Sequence, residues 1–194
     1  MHSFPWPSFE RDKASWLGEL GLVPLPTLVS GNDESACRIL CRSTFDSPLG
    51  VTLIDLGSVA EVSLSGATAP VPAEKSPAGG AEGGGADAAE VRTSCKLLQP
   101  GELEELWALA DAVHGMATPS ILETERDGML VAVDIVRRGK ATTLVVWGGF
   151  DRPRSPHQLI RMAWELAHRE FDDAASQHHL DAIRRYMQDG STAR

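Results

Sequence analysis

The side chains that could bind a metal ion lie near the C-terminal end of the chain. Glu165 and His168 are three residues apart, a spacing that places a carboxylate and an imidazole on one face of a helix. Helical dimetal centres use two such pairs with two further carboxylates, and this chain offers one pair. Three more polar residues follow, namely His178, His179 and Asp181. Adjacent helical positions point about 100° apart, so these residues do not complete the set. We expect no metal and no other cofactor, and a metal-dependent hydrolase is kept as an alternative.

No established catalytic motif occurs in the sequence. It contains no GxSxG, HExxH, CxxC or phosphate-binding P-loop. The glycine-rich stretch GGAEGGG, residues 79–85, lacks the Lys-Ser or Lys-Thr that ends a P-loop. We therefore predict no catalytic residue and favour a protein without enzymatic activity.

A second small cluster could bind an anion. Arg152, Arg154 and His157 stand at the predicted start of the last long helix, one turn before Arg161. Cations beside free helix amides can hold a phosphate or carboxylate group. Loop cations are also commonly paired with nearby acids, which is the simpler interpretation. A small anion-binding protein is therefore a further alternative.

The most concentrated charge in the chain is acidic. Between residues 102 and 127, seven acidic residues stand against one basic residue, Arg126, for a local net charge of −6. The acidic residues are Glu102, Glu104, Glu105, Asp111, Glu123, Glu125 and Asp127. Concentrated charge accelerates encounter with an oppositely charged partner and contributes to discrimination between partners. We predict that these residues bind a basic partner protein, although acid-rich helices also serve solubility.

The whole chain is acidic as well. It has 194 residues and a net charge of −9, with a pI near 5.1, so binding to nucleic acid or to anionic membranes is not expected. The sequence has no run of about 18 apolar residues, no signal-peptide pattern, and too few cysteines for a disulfide framework. These features predict a cytoplasmic protein. They do not define its oligomeric state.

Periodic apolar residues predict an α+β fold. The predicted architecture is one mainly antiparallel sheet with helices packed on one face, in the order helix, strands, helix, hairpin and long helix. The first helix ends near Gly21, and Pro100 suits the first turn of the second. The last long helix begins at Ser155 and either continues past Asp172 or restarts there.

Two stretches alternate as half-buried strands do. In SACRILCR, residues 35–42, alternation places Cys37 and Cys41 on one side and Arg38 on a side that faces water. The two cysteines are then about 13 Å apart along the strand, too far for a disulfide. The second stretch is EVRTSCKLL, residues 90–98. Its predicted apolar side consists of Val91, Thr93, Cys95 and Leu97.

The segment from Asp127 to Gly149 predicts a β-hairpin with Arg138 and Gly139 as its two-residue loop. The predicted pairs on the core side are Val131–Val146, Val133–Leu144 and Ile135–Thr142. On the other side they are Asp134–Thr143 and Leu130–Trp147. The apolar pair at the far end of that second side predicts a covering element there.

Residues 65–89 are rich in Gly, Ala and Pro and contain no large apolar residue beyond Val71. Such a segment cannot bury enough surface to offset its ordering entropy, so we expect a flexible inserted loop between two strands. Neither flank forms a complete core by itself. The prediction is therefore a single domain over residues 1–194.

Three segments carry a family resemblance. LLQPGELEELWALADAV (97–113), DGMLVAVDIVRRGKATTLVVWGGF (127–150) and SPHQLIRMAWELAHREF (155–171) resemble small uncharacterised bacterial α+β proteins, some of which are similar to immunity proteins that neutralise toxins. This resemblance implies a non-enzymatic inhibitor of a basic partner protein. The same order of elements is similar to that of type III secretion chaperones, acidic dimers that hold an unfolded effector segment. That second resemblance implies a chaperone-like dimer as an alternative.

Overall fold

The computed structural model describes residues 6–29, 31–42, 47–68, 90–99, 101–114, 129–147 and 155–188. The α-helices in these stretches are α1 (Trp6–Glu19), α2 (Glu104–His114), α3 (Ser155–Glu170) and α4 (Ala174–Gln188), and a 3-10 turn spans Leu25–Thr27. The strands are β1 (Ser35–Arg42), β2 (Leu49–Asp55), β3 (Ala60–Thr68), β4 (Glu90–Leu98), β5 (Leu130–Arg137) and β6 (Lys140–Trp147). No described helix is both long enough and apolar enough to cross a bilayer.

All six strands form one antiparallel sheet in the order β4-β3-β2-β1-β5-β6. Strands β1 to β4 follow one another as a meander. The segment that contains α2 then leads back across the sheet, so that β5 pairs with β1. This architecture confirms the predicted α+β fold.

Helices α2, α3 and α4 pack on one face of the sheet, over the larger apolar core. Their stripes meet the inward residues of all six strands, because the 3.6-residue helical period and the two-residue strand period each gather apolar residues on one side. Trp107 of α2, Trp164 of α3 and Leu180 of α4 are buried in this core. Asp173 Oδ1 accepts a hydrogen bond from Ser176 N at 3.1 Å, so the chain restarts a helix after α3.

Helix α1 lies on the opposite face of the sheet. Phe9 and Trp16 of α1 form a separate apolar cluster with Leu40, Ala132 and Val145 from β1, β5 and β6. Leu130 of β5 packs against this cluster, so the far end of the hairpin's second side is covered, as the sequence predicts. Among the described helices, α2 to α4 therefore meet all six strands on one face, and α1 meets β1, β5 and β6 on the other.

The hairpin forms in the predicted register. Its Cα partners include Val133 opposite Leu144 and Asp134 opposite Thr143, and the other predicted pairs match as well. Arg138 and Gly139 have φ values of 50° and 70°, as a two-residue turn of the primed type requires. Turn chemistry and alternation together specify this element locally.

The stretch predicted as an inserted loop, residues 65–89, overlaps β3 at its start. Residues 65–68 belong to β3, where Ser65 pairs with Thr93 and Gly66 with Arg92, so the predicted start at residue 65 is wrong. The backbone of these residues pairs with β4, and backbone hydrogen bonds do not require large side chains. Residues 69–89 lie outside the described residues.

The predicted exposure of Arg38 in β1 is also wrong. Cys37 and Cys41 face the larger core as expected, and neither forms a disulfide. Arg38, however, is 1% exposed, because α1 and the segment after it cover this side of β1. Arg38 Nε donates to Thr52 Oγ1 at 3.0 Å, and its guanidinium also donates to the carbonyl oxygen of Val23.

Strand β4 turns its predicted apolar side away from the larger core. Lys96 pairs with Val62 and Leu98 with Ala60, so the even-numbered residues lie on the face of α2 to α4. Val91 and Leu97 lie on the opposite face, where they are 39% and 72% exposed. Alternation specifies two sides, but the ladder with β3 decides which side meets the core.

Candidate functional site

The predicted acidic cluster is divided between two roles in the structure. Glu102 precedes α2, Glu104 and Glu105 form its first turn, and Asp111 lies in its C-terminal half. The other three predicted carboxylates lie outside the described residues: Glu123, Glu125 and Asp127.

Asp111 is bound within the molecule. Its two carboxylate oxygens accept hydrogen bonds from Arg137 Nε at 3.0 Å and Arg137 Nη2 at 3.2 Å, and Arg138 lies 3.5 Å away. The Arg137 hydrogen bond is the main cause that lowers the pKa of Asp111, with the charges of Arg137 and Arg138 acting in the same direction. Asp111 therefore fastens α2 to the hairpin.

This fastening extends through Trp107. The guanidinium of Arg137 lies over the Trp107 ring, 5.2 Å from its centroid, which is a cation–π arrangement. Trp107 Nε1 donates to Asp55 Oδ2 at 2.9 Å, and Asp55 also accepts from the backbone of Gly57. These contacts hold α2 against the β2–β3 turn and so help to fix the position of the helix.

Glu102 is also engaged within the chain. Its carboxylate accepts from Gln99 N at 2.6 Å and from Arg169 Nη2 at 2.6 Å. It therefore joins the turn after β4 to the end of α3. Two of the four described carboxylates that were predicted to bind a partner thus serve the fold.

Glu104 and Glu105 are exposed on α2 and form no ion pair within the described part of the chain. Glu105 lies at a groove of about 530 Å³ between α2 and α3. The groove is lined by Glu105, Ala108, Leu109, Gln158, Arg161, Met162 and Glu165. Leu109 and Met162 are half-buried against the core, whereas Ala108 and the polar residues of the groove are exposed.

The groove brings together two carboxylates that the sequence placed in different predicted sites. Glu105 was predicted to bind a partner, and Glu165 was considered as a metal ligand. A signal was present in the sequence, because Leu109 and Met162 are apolar residues that fall outside the main stripes of their helices. Apolar residues beside the buried faces of two neighbouring helices indicate a groove between the helices. That α2 and α3 are neighbours is known only from the fold.

Glu165 and His168, the pair considered for the alternative of a metal-dependent hydrolase, lie at different contacts in the structure. His168 Nε2 lies 3.2 Å from Asp181 Oδ1 of α4, and Glu165 lies at the groove. No group of three or more His, Cys, Asp or Glu side chains in the described stretches is arranged to hold a metal ion. His168 instead links α3 to α4.

The predicted anion cluster is not assembled in the described residues either. His157 lies in the first turn of α3 and is 2% exposed, so it does not face solvent where an anion would approach. Arg152 and Arg154 lie outside the described residues. Arg161 is exposed on α3 and lines the groove.

A buried polar row beneath α1 was not predicted from the sequence. Asp134 Oδ1 accepts from Lys13 Nζ at 2.7 Å and from Thr143 Oγ1 at 2.6 Å, and Arg38 is its cross-strand neighbour in β1. A single carboxylate within the apolar run of β5 was the available signal, since such a group needs a cation when it is buried. The row anchors α1 and is largely closed to solvent.

Comparison with protein-family models and with curated protein sequences found no match for this chain.

Proposed function

We propose that the protein is a non-enzymatic binding domain for a basic partner protein, and that the groove between α2 and α3 receives an amphipathic helix of that partner. The observation that carries the proposal is the pairing of an apolar floor, Leu109 and Met162, with the carboxylates of Glu105 and Glu165. An immunity-like inhibitor and a secretion chaperone would both use such a surface.

The shape of the groove favours a polypeptide segment. Two helices line it, and its polar residues are exposed, so it is a surface channel and not an enclosed pocket for a small molecule. Helix-in-groove recognition places an apolar stripe of the incoming helix on the floor of such a channel. The eleven residues of α2 correspond to about 16 Å, or three turns of a bound helix.

Charge favours a basic segment. Two carboxylates, Glu105 and Glu165, line the groove with one cation, Arg161, and the chain as a whole has a net charge of −9. A protein with this net charge attracts cations at long range, and the groove carboxylates provide the local contacts. We expect Lys or Arg side chains on both flanks of the bound apolar stripe.

The test uses a labelled helical peptide of 18 residues with leucines spaced for one face and lysines on both flanks. Fluorescence anisotropy measures its affinity for the full chain at about 0.15 M salt. Glu105→Lys with Glu165→Lys changes two carboxylates to ammonium groups and should weaken binding by at least about tenfold, since each lost contact is a close charge pair. A peptide with glutamates in place of the lysines should not bind.

The matched control is Asp12→Lys with Asp33→Lys. Both residues are exposed, Asp12 on α1 and Asp33 before β1, and neither has an ion-pair partner among the described residues. Each double variant changes two residues from −1 to +1, so both move the net charge from −9 to −5. Equal weakening by the two double variants, or no binding of the lysine peptide, would overturn the proposed groove.

A further inference from the structure

Among the described residues, strand β4 has both an unpaired backbone edge and exposed apolar side chains. It is the edge strand next to β3, and no described strand pairs with its outer edge. On the face away from α2 to α4, Val91 is 39% exposed and Leu97 is 72% exposed. Thr93 and Cys95, which lie between them on that face, are exposed as well. An exposed edge with an apolar side is a template for strand pairing.

Helix α1 does not account for this face. The α1 cluster draws its sheet residues from β1, β5 and β6, through Leu40, Ala132 and Val145. The neighbours of Val91 and Leu97 across the ladder are Ala67 and Glu61 of β3. The described residues therefore leave the β4 side of this face open.

The spacing of the exposed residues is self-complementary. Val91 and Leu97 lie three residues before and three residues after Ser94. In an antiparallel pair related by a two-fold axis through Ser94, Val91 of each copy lies opposite Leu97 of the other. Thr93 lies opposite Cys95 in the same way. Directly opposite residues interact most strongly across strands, so all four exposed side chains find partners in one register.

Neighbouring registers match less well. An axis through Cys95 would place Leu97 opposite Thr93, and Val91 opposite Gln99, which follows the strand. An axis through Thr93 would place Leu97 opposite residue 89, which precedes the strand. Moving the axis by one residue shifts the register by two residues. Only such even register shifts keep the same faces of the two strands together, because side chains alternate with period two.

We propose that β4 pairs antiparallel with β4 of a second copy of this chain, about a two-fold axis at Ser94. The two six-stranded sheets then form one continuous sheet of twelve strands. The pairing uses the outer β4 edge of each copy, so the assembly is complete as a dimer.

Area and charge set the strength of this contact. Nine residues form an edge about 30 Å long, and a single strand pair buries less than the roughly 1,200 Å² at which stable interfaces begin. On the other face, Arg92 lies opposite Lys96 twice, and like charges directly opposite one another are destabilising. We therefore expect a weak dimer, with a dissociation constant on the order of tens to hundreds of micromolar.

The like-charge pair provides the sharpest test of the register. Lys96→Glu places a carboxylate opposite Arg92 at both positions, so two repulsive pairs become attractive, and the dimer dissociation constant should fall by about fivefold or more. Leu97→Lys should abolish the dimer, because it removes the apolar contact and adds charge. Sedimentation velocity on the full chain, from about 5 to 500 µM, measures the distribution of monomer and dimer.

Two exposed residues provide matched controls. Leu56, 47% exposed between β2 and β3, is changed to Lys to remove apolar surface elsewhere. Lys140 of β6, at the other edge of the sheet, is changed to Glu to give the same change in net charge. Both controls should leave the dimer as in the wild type.

Three outcomes would overturn the proposal. A wild-type chain that stays monomeric up to 500 µM excludes the pairing. A dimer that Lys96→Glu weakens or leaves unchanged excludes the axis at Ser94. A dimer that Leu56→Lys disrupts as strongly as Leu97→Lys excludes β4 as the contact.

Discussion

At the scale of single residues, two cations share one carboxylate beneath α1. Asp134 is the carboxylate between two cations, Lys13 and Arg38, and all three are largely or fully buried. Burial lowers the pKa of Arg38, and the negative charge of Asp134 opposes that shift. The position of α1 on the sheet therefore depends on one negative charge.

We expect Asp134→Ala to lower the free energy of unfolding by about 3–5 kcal/mol, because two buried cations lose their counter-charge. Urea denaturation followed by circular dichroism measures the change. The exposed Asp12 of α1 is the control, and Asp12→Ala should change the free energy by less than about 0.5 kcal/mol. A loss for Asp134→Ala below about 1 kcal/mol would contradict this account of the row.

The three thiols should differ in reactivity. Burial raises the pKa of Cys37 to about 12 and also raises the pKa of Cys41. Cys95 is exposed on β4, although partial burial and the nearby Glu61 raise its pKa as well. The thiolate is the nucleophile, so a thiol must reach solvent and ionise to react. We therefore expect Cys95, and neither Cys37 nor Cys41, to react with DTNB in the folded protein at pH 8. All three should react in denaturant. Rapid reaction of folded Cys95→Ser would be inconsistent with this assignment.

Asp111 should contribute a pH-dependent part of the stability. Its folded pKa lies below its unfolded value of about 3.9, so the contribution is complete above that value and is lost as the pH falls through the folded pKa. Its side chain is 35% exposed, and solvent screening limits the effect to about 1 kcal/mol. Urea midpoints of Asp111→Asn and wild type should therefore differ at pH 6, and the difference should shrink as the pH falls below the unfolded pKa of about 3.9. The control is Glu104→Gln, on the exposed side of α2, which should change the free energy of unfolding at pH 6 by less than about 0.5 kcal/mol.

At the scale of elements, the β5–β6 turn depends on its glycine. Gly139 has a φ of 70°, and a Cβ there would lie 2.9 Å from Asn32 Oδ1. The turn therefore depends on a left-handed backbone, and an added Cβ would also displace the exposed side chain of Asn32.

We expect Gly139→Ala to lower the free energy of unfolding by about 1–2 kcal/mol, from the strained φ and the contact with Asn32. Gly18→Ala in α1 should have the opposite sign, a gain of up to about 1 kcal/mol, because nothing lies within 4 Å of its Cβ position and its backbone is helical. Thermal unfolding of both variants tests the pair. Stabilisation by Gly139→Ala would show that the turn is not held as described.

At the scale of the whole molecule, one sheet carries helices on both faces. Trp16 reports on the α1 face, and Trp107 and Trp164 report on the other. Each of the strands β1, β5 and β6 contributes to both clusters, so loss of one layer exposes the back of the other. The surface features fall at separate places on this frame, the groove on the helical layer and the open strand side at the β4 edge.

This arrangement predicts a single cooperative unfolding transition. Tryptophan fluorescence, which samples both faces, and far-UV circular dichroism should give coincident urea midpoints. A fluorescence change that precedes the loss of secondary structure would indicate that α1 leaves the sheet before the core unfolds.

The sequence by itself determined the local elements. The register of β5 with β6 followed from a two-residue turn at Arg138 and Gly139 and from strict alternation, and both depend on neighbours within about ten residues. The helical stripes, the buried cysteines of β1 and the α+β class were determined in the same way. Local chemistry is sufficient there, because steric preference and apolar period act along the chain.

Only the tertiary structure decided which surfaces are covered and which charges are available. Alternation in β1 and β4 defined two sides for each strand, but the course of α1 buried Arg38, and the ladder with β3 left Leu97 exposed. In the same way, Asp111 and Glu105 belong to one acidic stretch of the sequence, yet the first is bound by Arg137 and the second lies at a groove. The reason is physical: burial and ion pairing depend on residues that are distant in sequence and adjacent only after the sheet and helices have packed.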